Sequence, residues 1–261
     1  MSFLQNISYH WTQQLDPRVV NLPLIASSYS VPLIVLAYLY FVLSYGPKFM
    51  KNRPPYTLKT FMKLYNIVQI FANAWLMYDH IDAGLFSTNL ICPDFDYSYN
   101  DIPMRITRCC WYFFLLKILD YADTVVFVLR KKNNQVSGLH LYHHVSTLLL
   151  AWFGTRYYAV ISFTLLTFTN CFVHTVMYTY YYLAACGPNI QKTVAPVKRW
   201  ITILQMTQFV VLVLYVLHQF VLDCGVVYTW VSLLFIANLI MNFYMFYNFY
   251  QRTYNKVKKT H

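Results

Sequence analysis

The chain reads as an all-α membrane protein that crosses the bilayer seven times. Composition is the first ground. Of 261 residues, 58% are hydrophobic and only 11% are charged, where a soluble domain carries about 25% charged residues. The second ground is length: seven apolar stretches each come near the roughly 20 residues that cross a hydrocarbon core. The third is the aromatic share, 20% of the chain with 25 tyrosines, which suits rings placed at membrane–water interfaces. The first twenty residues are polar and mixed, with no basic segment leading into an apolar core, so no cleavable leader is expected.

The spans fall at approximately 24–45, 60–79, 106–129, 139–158, 159–183, 200–222 and 228–250, in one transmembrane domain over 1–261. Ionisable and polar residues are costly inside a bilayer and default to functional hypotheses. Positions three or four apart share a helix face, and the polar residues here fall into such stripes. The first span offers only scattered serines, so it is expected to lie outside whatever the other six enclose. The second carries Tyr65, Asn66, Gln69 and Asn73. The third carries Lys117, Asp120, Asp123 and Thr124, charges that make it the least apolar of the seven. The fourth opens with His140, His143 and His144, and a short turn around Gly154–Tyr158 leads into the fifth, so these two are expected to form a tight antiparallel pair. The fifth carries Asn170, His174, Met177, Tyr178 and Tyr181, the sixth Gln205 and Gln208, and the seventh Asn238 and Asn242.

Charge placement orients the chain. Cations gather between spans one and two, three and four (Arg130, Lys131, Lys132), five and six (Lys192, Lys198, Arg199), and after span seven. The opposite side holds most of the aspartates. By the positive-inside tendency the C-terminus is cytosolic and the N-terminus is not. Asn6-Ile7-Ser8 is then a glycosylation sequon on the lumenal side, and Lys258-Lys259 near the end has the form of a retrieval signal for the endoplasmic reticulum. The net charge of +11 sits mainly on the cytosolic face. It points to anionic headgroups or a polyanionic ligand there. No nucleic-acid signature accompanies it.

At 1.5 Å per residue, the Lys, Asp, His and Gln stripes fall at similar depth in the cytosolic half of the bilayer. Three chemistries fit the histidines: metal ligands, a nucleophile with helpers, or interhelical hydrogen bonding. The His-x-x-His-His spacing is shared with membrane di-iron desaturases and hydroxylases, but hard iron sites take many ligands. Of the eight histidines, only His140, His143, His144 and His174 fall in this slab, and the chain has no glutamate. A di-iron site is therefore poorly supplied, and no resident metal is the first expectation, although a single zinc could still be built from these residues. Neutral imidazole is also a nucleophile and general base. With cations above and an apolar channel below, the pattern suits an acyl-CoA: phosphates on the cations, the thioester at the histidines.

These motifs together resemble the ELO family of very-long-chain fatty acid elongases. Its K-x-x-E-x-x-D-T motif stands as Lys117-Ile-Leu-Asp120-Tyr-Ala-Asp123-Thr124, and its histidine box as His140-Leu-Tyr-His143-His144. N-x-F-x-H-x-x-M-Y stands as Asn170-Cys-Phe172-Val-His174-Thr-Val-Met177-Tyr178, Q-x-x-Q as Gln205-Met-Thr-Gln208, and the early Tyr65-Asn66 also fits. The departure is Asp120 in place of glutamate. Its side chain is one methylene shorter, which leaves Asp120 and Asp123 both open as partners of Lys117.

The resemblance implies a 3-oxoacyl-CoA synthase of the endoplasmic reticulum that condenses a long-chain acyl-CoA with malonyl-CoA and releases CO2 and CoA. It implies a barrel of six helices around an acyl tunnel, with the first helix peripheral. The reductase and dehydratase of the elongation cycle and a second copy of the chain are candidate partners. A membrane di-iron oxygenase and a seven-span receptor are the alternatives. Within the elongase reading, His143 is the expected nucleophile, helped by His140 and His144. His174, Asn170, Gln205 and Gln208 are expected to serve proton transfer or the developing enolate, with Asn66, Met177 and Tyr178 lining the substrate. Lys117 is expected to be held by a carboxylate rather than to act as a base. Cys92 and Cys224 fall in lumenal loops and are expected to form a disulfide.

Overall fold

The computed structural model describes residues 15–89, 92–93, 95–222, 224 and 229–255. Asn6, Lys258 and Lys259 lie outside them. The described residues are helical, without strands. Four helices are long and apolar enough to cross a membrane: Ser30–Met50, Ile161–Ala185, Val197–Val221 and Thr229–Asn255. Three of the seven expected spans do not meet that measure. Lys59–Asp82, Asp101–Leu119 with Tyr121–Leu129, and Gly138–Tyr157 are helices, but their charges and histidines lower their apolarity. The chain divides into two compact units, residues Met1–Thr57 with Phe95–Thr164, and Leu58–Asp94 with Leu165–His261.

In the first unit, α1 (Ser30–Met50) starts six residues later than the apolar run. Ser27 Oγ accepts from the backbone N–H groups of Tyr29 and Ser30 at 3.3 and 3.2 Å, capping the helix there. It also runs past residue 45, the expected end of the span, and through Gly46-Pro47. A wide turn over Phe41–Tyr45 lets the Gly46 N–H bond back to Phe41, and such a turn relieves the clash of the proline ring with the preceding carbonyls. Gly46 is needed for close approach, since a Cβ there would sit 2.7 Å from Val128. The third expected span is two helices, α3 (Asp101–Leu119) and α4 (Tyr121–Leu129), separated by one turn residue at Asp120. α4 ends with Lys131 at a φ of 53° and Lys132 N–H donating to the Phe127 carbonyl at 2.8 Å, the bonding pattern of a Schellman stop. α5 (Gly138–Tyr157) is capped by Ser137, whose Oγ accepts from His140 N–H at 3.2 Å. It closes into the next helix through a tight turn. A Cβ on Gly154 would lie 2.4 Å from the Phe163 ring.

The residues before α1 are not a loose lead-in. Residues 15–29 fold as successive turns over one end of α3 and α5. Val19 and Ile25 are fully buried. Trp111 and Trp152 donate their indole N–H groups to the Pro23 and Leu24 carbonyls at 3.1 and 3.2 Å. Arg18 and Asp16 form an ion pair at 2.6 Å with both side chains wholly buried. Arg18 also donates to the carbonyls of Asp96 and Ala159, each at 3.0 Å. Arg156, from α5, donates to the Ile25 carbonyl at 2.8 Å and to Ser28 Oγ at 3.1 Å.

The second unit contains α2 (Lys59–Asp82), α6 (Ile161–Ala185) from Leu165 onward, α7 (Pro188–Val194), α8 (Val197–Val221) and α9 (Thr229–Tyr250). α2 is amphipathic with its polar face inward. Tyr65, Asn66, Gln69 and Asn73 are buried, while Phe61, Leu64, Val68, Phe71, Trp75 and Tyr78 are 48–71% exposed. Water would select the opposite arrangement, so lipid is the natural neighbour of that outer face. α7 was not foreseen; it begins at Pro188 in the first helical turn, after Gly187 at a φ of 151°. Cys92 and Cys224 are joined by a disulfide, with Cα atoms 5.2 Å apart.

Candidate active site

The densest cluster of chemistry lies in the first unit, where α3, α4 and α5 meet α1. Lys117, on the last turn of α3, is nearly fully buried. Its Nζ lies 2.7 Å from Asp120 Oδ2, with side-chain exposures of 2% and 5%. The partner is thus Asp120. The missing methylene costs no reach, because the helix pauses at Asp120 and leaves its carboxylate one turn from the ammonium. Asp123 is half-buried on α4.

Three residues on from the Ser137 cap, helix periodicity sets the histidine box. His140 and His144 are one turn apart on the same face, and their ring centroids are 4.1 Å apart. His143 stands nearly perpendicular to His144 at 5.9 Å. His144 therefore has both other box rings as neighbours, with Tyr121 at 6.3 Å on a further side. All three histidines are half-buried, as a group that reacts with a substrate must be. His140 Nε2 lies 2.8 Å from Thr124 Oγ1, and Thr124 Oγ1 lies 2.8 Å from the Tyr38 hydroxyl on α1. The first helix is therefore more than a carrier of scattered serines. Tyr38 was missed because it is one of three tyrosines on an apolar helix, with Tyr40 and Tyr45, and no local polar pattern singles it out. Its one signal is spacing: it shares a buried face with Val31, Val35 and Val42.

The second unit gathers its own polar cluster. Tyr65 and Tyr178 hydroxyls lie 3.3 Å apart. Gln69 donates to Tyr65 at 2.9 Å, and Asn73 donates to the Gln69 backbone carbonyl at 2.8 Å. His174 is buried with its ring 5.6 Å from that of Tyr178. Gln205 donates to the Met177 sulfur at 3.6 Å. Asn66, Asn170 and Gln208 are buried as well. Another buried histidine, His80, lies outside the four that the sequence places in the cytosolic half. It is fully buried, with Nε2 2.7 Å from Thr167 Oγ1.

The cations expected to meet substrate are mostly at the surface. Lys131, Lys132, Lys198 and Arg199 are exposed and Arg130 is half-buried. Arg199 is held by its Nε donating to the Tyr250 hydroxyl at 2.7 Å. Among the described residues, no group of three or more His, Cys, Asp or Glu side chains converges as metal ligands would.

Residues 23–261 match the model of the ELO family, described as GNS1/SUR4. A very long chain fatty acid elongase of Aedes aegypti is 34% identical over 99% of this chain and 72% of its own length. Very long chain fatty acid elongase 7 of Drosophila melanogaster is 38% identical over 92% of this chain and 73% of its own length. Human very long chain fatty acid elongase 4 is 38% identical over 96% of this chain and 80% of its own length. With several helices long and apolar enough to cross a membrane, and matching this model nearly end to end, the chain belongs to the ELO (GNS1/SUR4) family of fatty acid elongases.

Proposed function

We propose that this chain is a very-long-chain 3-oxoacyl-CoA synthase, condensing a long-chain acyl-CoA with malonyl-CoA to give 3-oxoacyl-CoA, CO2 and CoA. The observation that carries the reading is the half-buried His140–His143–His144 box beside the buried Lys117–Asp120 pair. Family membership favours this reading over a di-iron oxygenase or a receptor.

His143 attacks the thioester carbonyl. A C–N bond forms, the C–S bond breaks, and CoA leaves as the thiol after taking up the imidazole proton. Malonyl-CoA then loses CO2, its carbanion attacks the acyl-imidazole, the C–N bond breaks, and the leaving His143 nitrogen takes back a proton relayed from water through His174. His174, Asn170, Gln205 and Gln208 serve proton transfer and the enolate in this second half. Asn66, Met177 and Tyr178 line the substrate. Arg130, Lys131, Lys132, Lys198 and Arg199 hold the CoA phosphates. Lys117 and Asp120 neutralise each other and brace α3 against α4. No step calls for a resident metal.

The proposal includes the membrane arrangement that the resemblance implies: seven spans, six of them around an acyl tunnel. The inward polar face of α2 supports counting that helix among the spans. The chain resides in the endoplasmic reticulum with its N-terminus lumenal. Sensitivity of Asn6 to a peptide N-glycosidase checks that orientation.

The deciding experiment omits malonyl-CoA. Purified protein given acyl-CoA alone should release a stoichiometric burst of CoA and carry one acyl adduct on the histidine box. Turnover with both substrates but no burst and no adduct replaces the acyl-imidazole by direct attack in a ternary complex. No condensation with any acyl-CoA overturns the assignment.

A further inference from the structure

We propose that Thr124, seated by the Tyr38 hydroxyl of α1, is a positioning residue that holds His140 in the Nδ1–H tautomer. The proposal rests on the reading of the histidine box as the acyl-transfer site. Its argument is an account of protons. Tyr38 is 6% exposed and Thr124 fully buried, so each hydroxyl proton needs an acceptor within the protein. Thr124 Oγ1 contacts the Tyr38 hydroxyl and His140 Nε2, both at 2.8 Å. A threonine hydroxyl has one proton to give and two lone pairs to offer.

Three arrangements can be drawn. If His140 Nε2–H donates to Thr124 and Thr124 donates to Tyr38, the tyrosine proton is left without an acceptor. If both neighbours donate to Thr124, the threonine proton is stranded instead. Only one arrangement satisfies every hydroxyl: Tyr38 O–H donates to Thr124, and Thr124 O–H donates to the Nε2 lone pair of His140. The His140 proton then sits on Nδ1. In that tautomer His140 gives the box an N–H donor at Nδ1, while its Nε2 lone pair is occupied. The Tyr38 ring is itself held, stacked on Tyr121 at 3.8 Å and 17°, and Tyr121 in turn borders His144. The first helix thus seats the Thr124 hydroxyl, which sets the hydrogen-bonding sense of the box, without touching the reacting atoms.

The test uses the full chain in nanodiscs with 15N-labelled histidine. His140 is identified by subtracting the spectrum of His140→Gln. In the wild type, its Nε2 should resonate as a bare nitrogen and its Nδ1 as a protonated one. Tyr38→Phe combined with Thr124→Val removes the donor to Nε2 and leaves no hydroxyl stranded. His140 should then shift toward the Nε2–H form, and kcat should fall about tenfold, the scale seen when a partner that orients a histidine is lost. KM and the unfolding temperature should hold. Tyr38→Phe alone should keep the Nδ1–H tautomer, because Nε2 is still the acceptor for the Thr124 proton.

An Nε2–H tautomer in the wild type overturns the proposal, even if the double variant fails to fold. So does a Tyr38→Phe, Thr124→Val protein with unchanged spectrum and kcat, or one whose activity falls only in step with its melting temperature. A wild type with the Nδ1–H tautomer but no condensation activity would instead sink the functional reading and leave the relay standing.

Discussion

The first unit holds two polar clusters, and they are built differently. In the Asp16–Arg18–Arg156 cluster, the guanidinium groups end largely on backbone carbonyls: Asp96 and Ala159 for Arg18, Ile25 for Arg156. The Arg18–Asp16 pair at its centre is wholly buried. Backbone acceptors neither titrate nor rotate, so this cluster is a clamp. The Lys117–histidine cluster ends on side chains: Asp120, Thr124 and Tyr38. Its histidines are half-buried. Partners that can turn or exchange protons suit a site where bonding must change during a reaction. Burial with backbone partners marks a structural charge here, and partial exposure with side-chain partners marks a chemical one.

That contrast breaks most sharply at Arg18. Arg18→Met leaves Asp16 buried and unpaired, which should cost about 3–5 kcal/mol of stability. Thermal unfolding in detergent should show it, with kcat of the remaining folded protein unchanged. If stability holds and kcat falls, the clamp is part of the chemistry. His143→Ala is the mirror image. Loss of the proposed nucleophile should cut turnover roughly a thousandfold while the unfolding temperature stays near that of the wild type.

Lys117 tests the boundary between the two kinds of cluster, being buried like the clamp yet placed beside the box. Lys117→Met should lower both stability and activity. Adding Asp120→Asn should recover about 1–3 kcal/mol of the stability, because no charge is then left alone, but not the turnover if the pair positions α4. Full recovery of both would reduce the pair to packing.

Two smaller changes sharpen the comparison at the ends of α5. Gly154→Ala drives a methyl into the Phe163 ring and should cost about 1–3 kcal/mol by overpacking, with the specific activity of folded protein retained. Ser137→Ala removes the cap at the other end and should cost only about 1 kcal/mol. Because Ser137 Oγ holds the His140 N–H, turnover should fall more than stability does. Equal and small losses in both would mean that the cap sets the helix start without tuning the box.

Much of the chemistry was legible in one dimension because helix periodicity is local. The buried face of α2, the box spacing on α5 and the Lys117–Asp120 separation all follow from 3.6 residues per turn. The expectation of a Cys92–Cys224 bond came instead from the two lumenal loops those residues occupy. The ends of helices were read less well. The first span was expected to end at residue 45, where a wide turn carries the helix on, and the third span hid a break at Asp120.

By itself, the sequence determined that apolar helices would alternate with basic connections and that imidazoles, a lysine and carboxylates would lie on shared faces. Those outcomes need only composition and neighbours within one turn. Only the tertiary structure decided that residues 15–29 would bury an ion pair, since the carbonyls that satisfy Arg18 lie 78 and 141 residues away along the chain. It also decided that Tyr38 would meet Thr124, 86 residues distant. A hydrogen bond depends on where its acceptor stands in space. For these groups, that place exists only after the helices have packed.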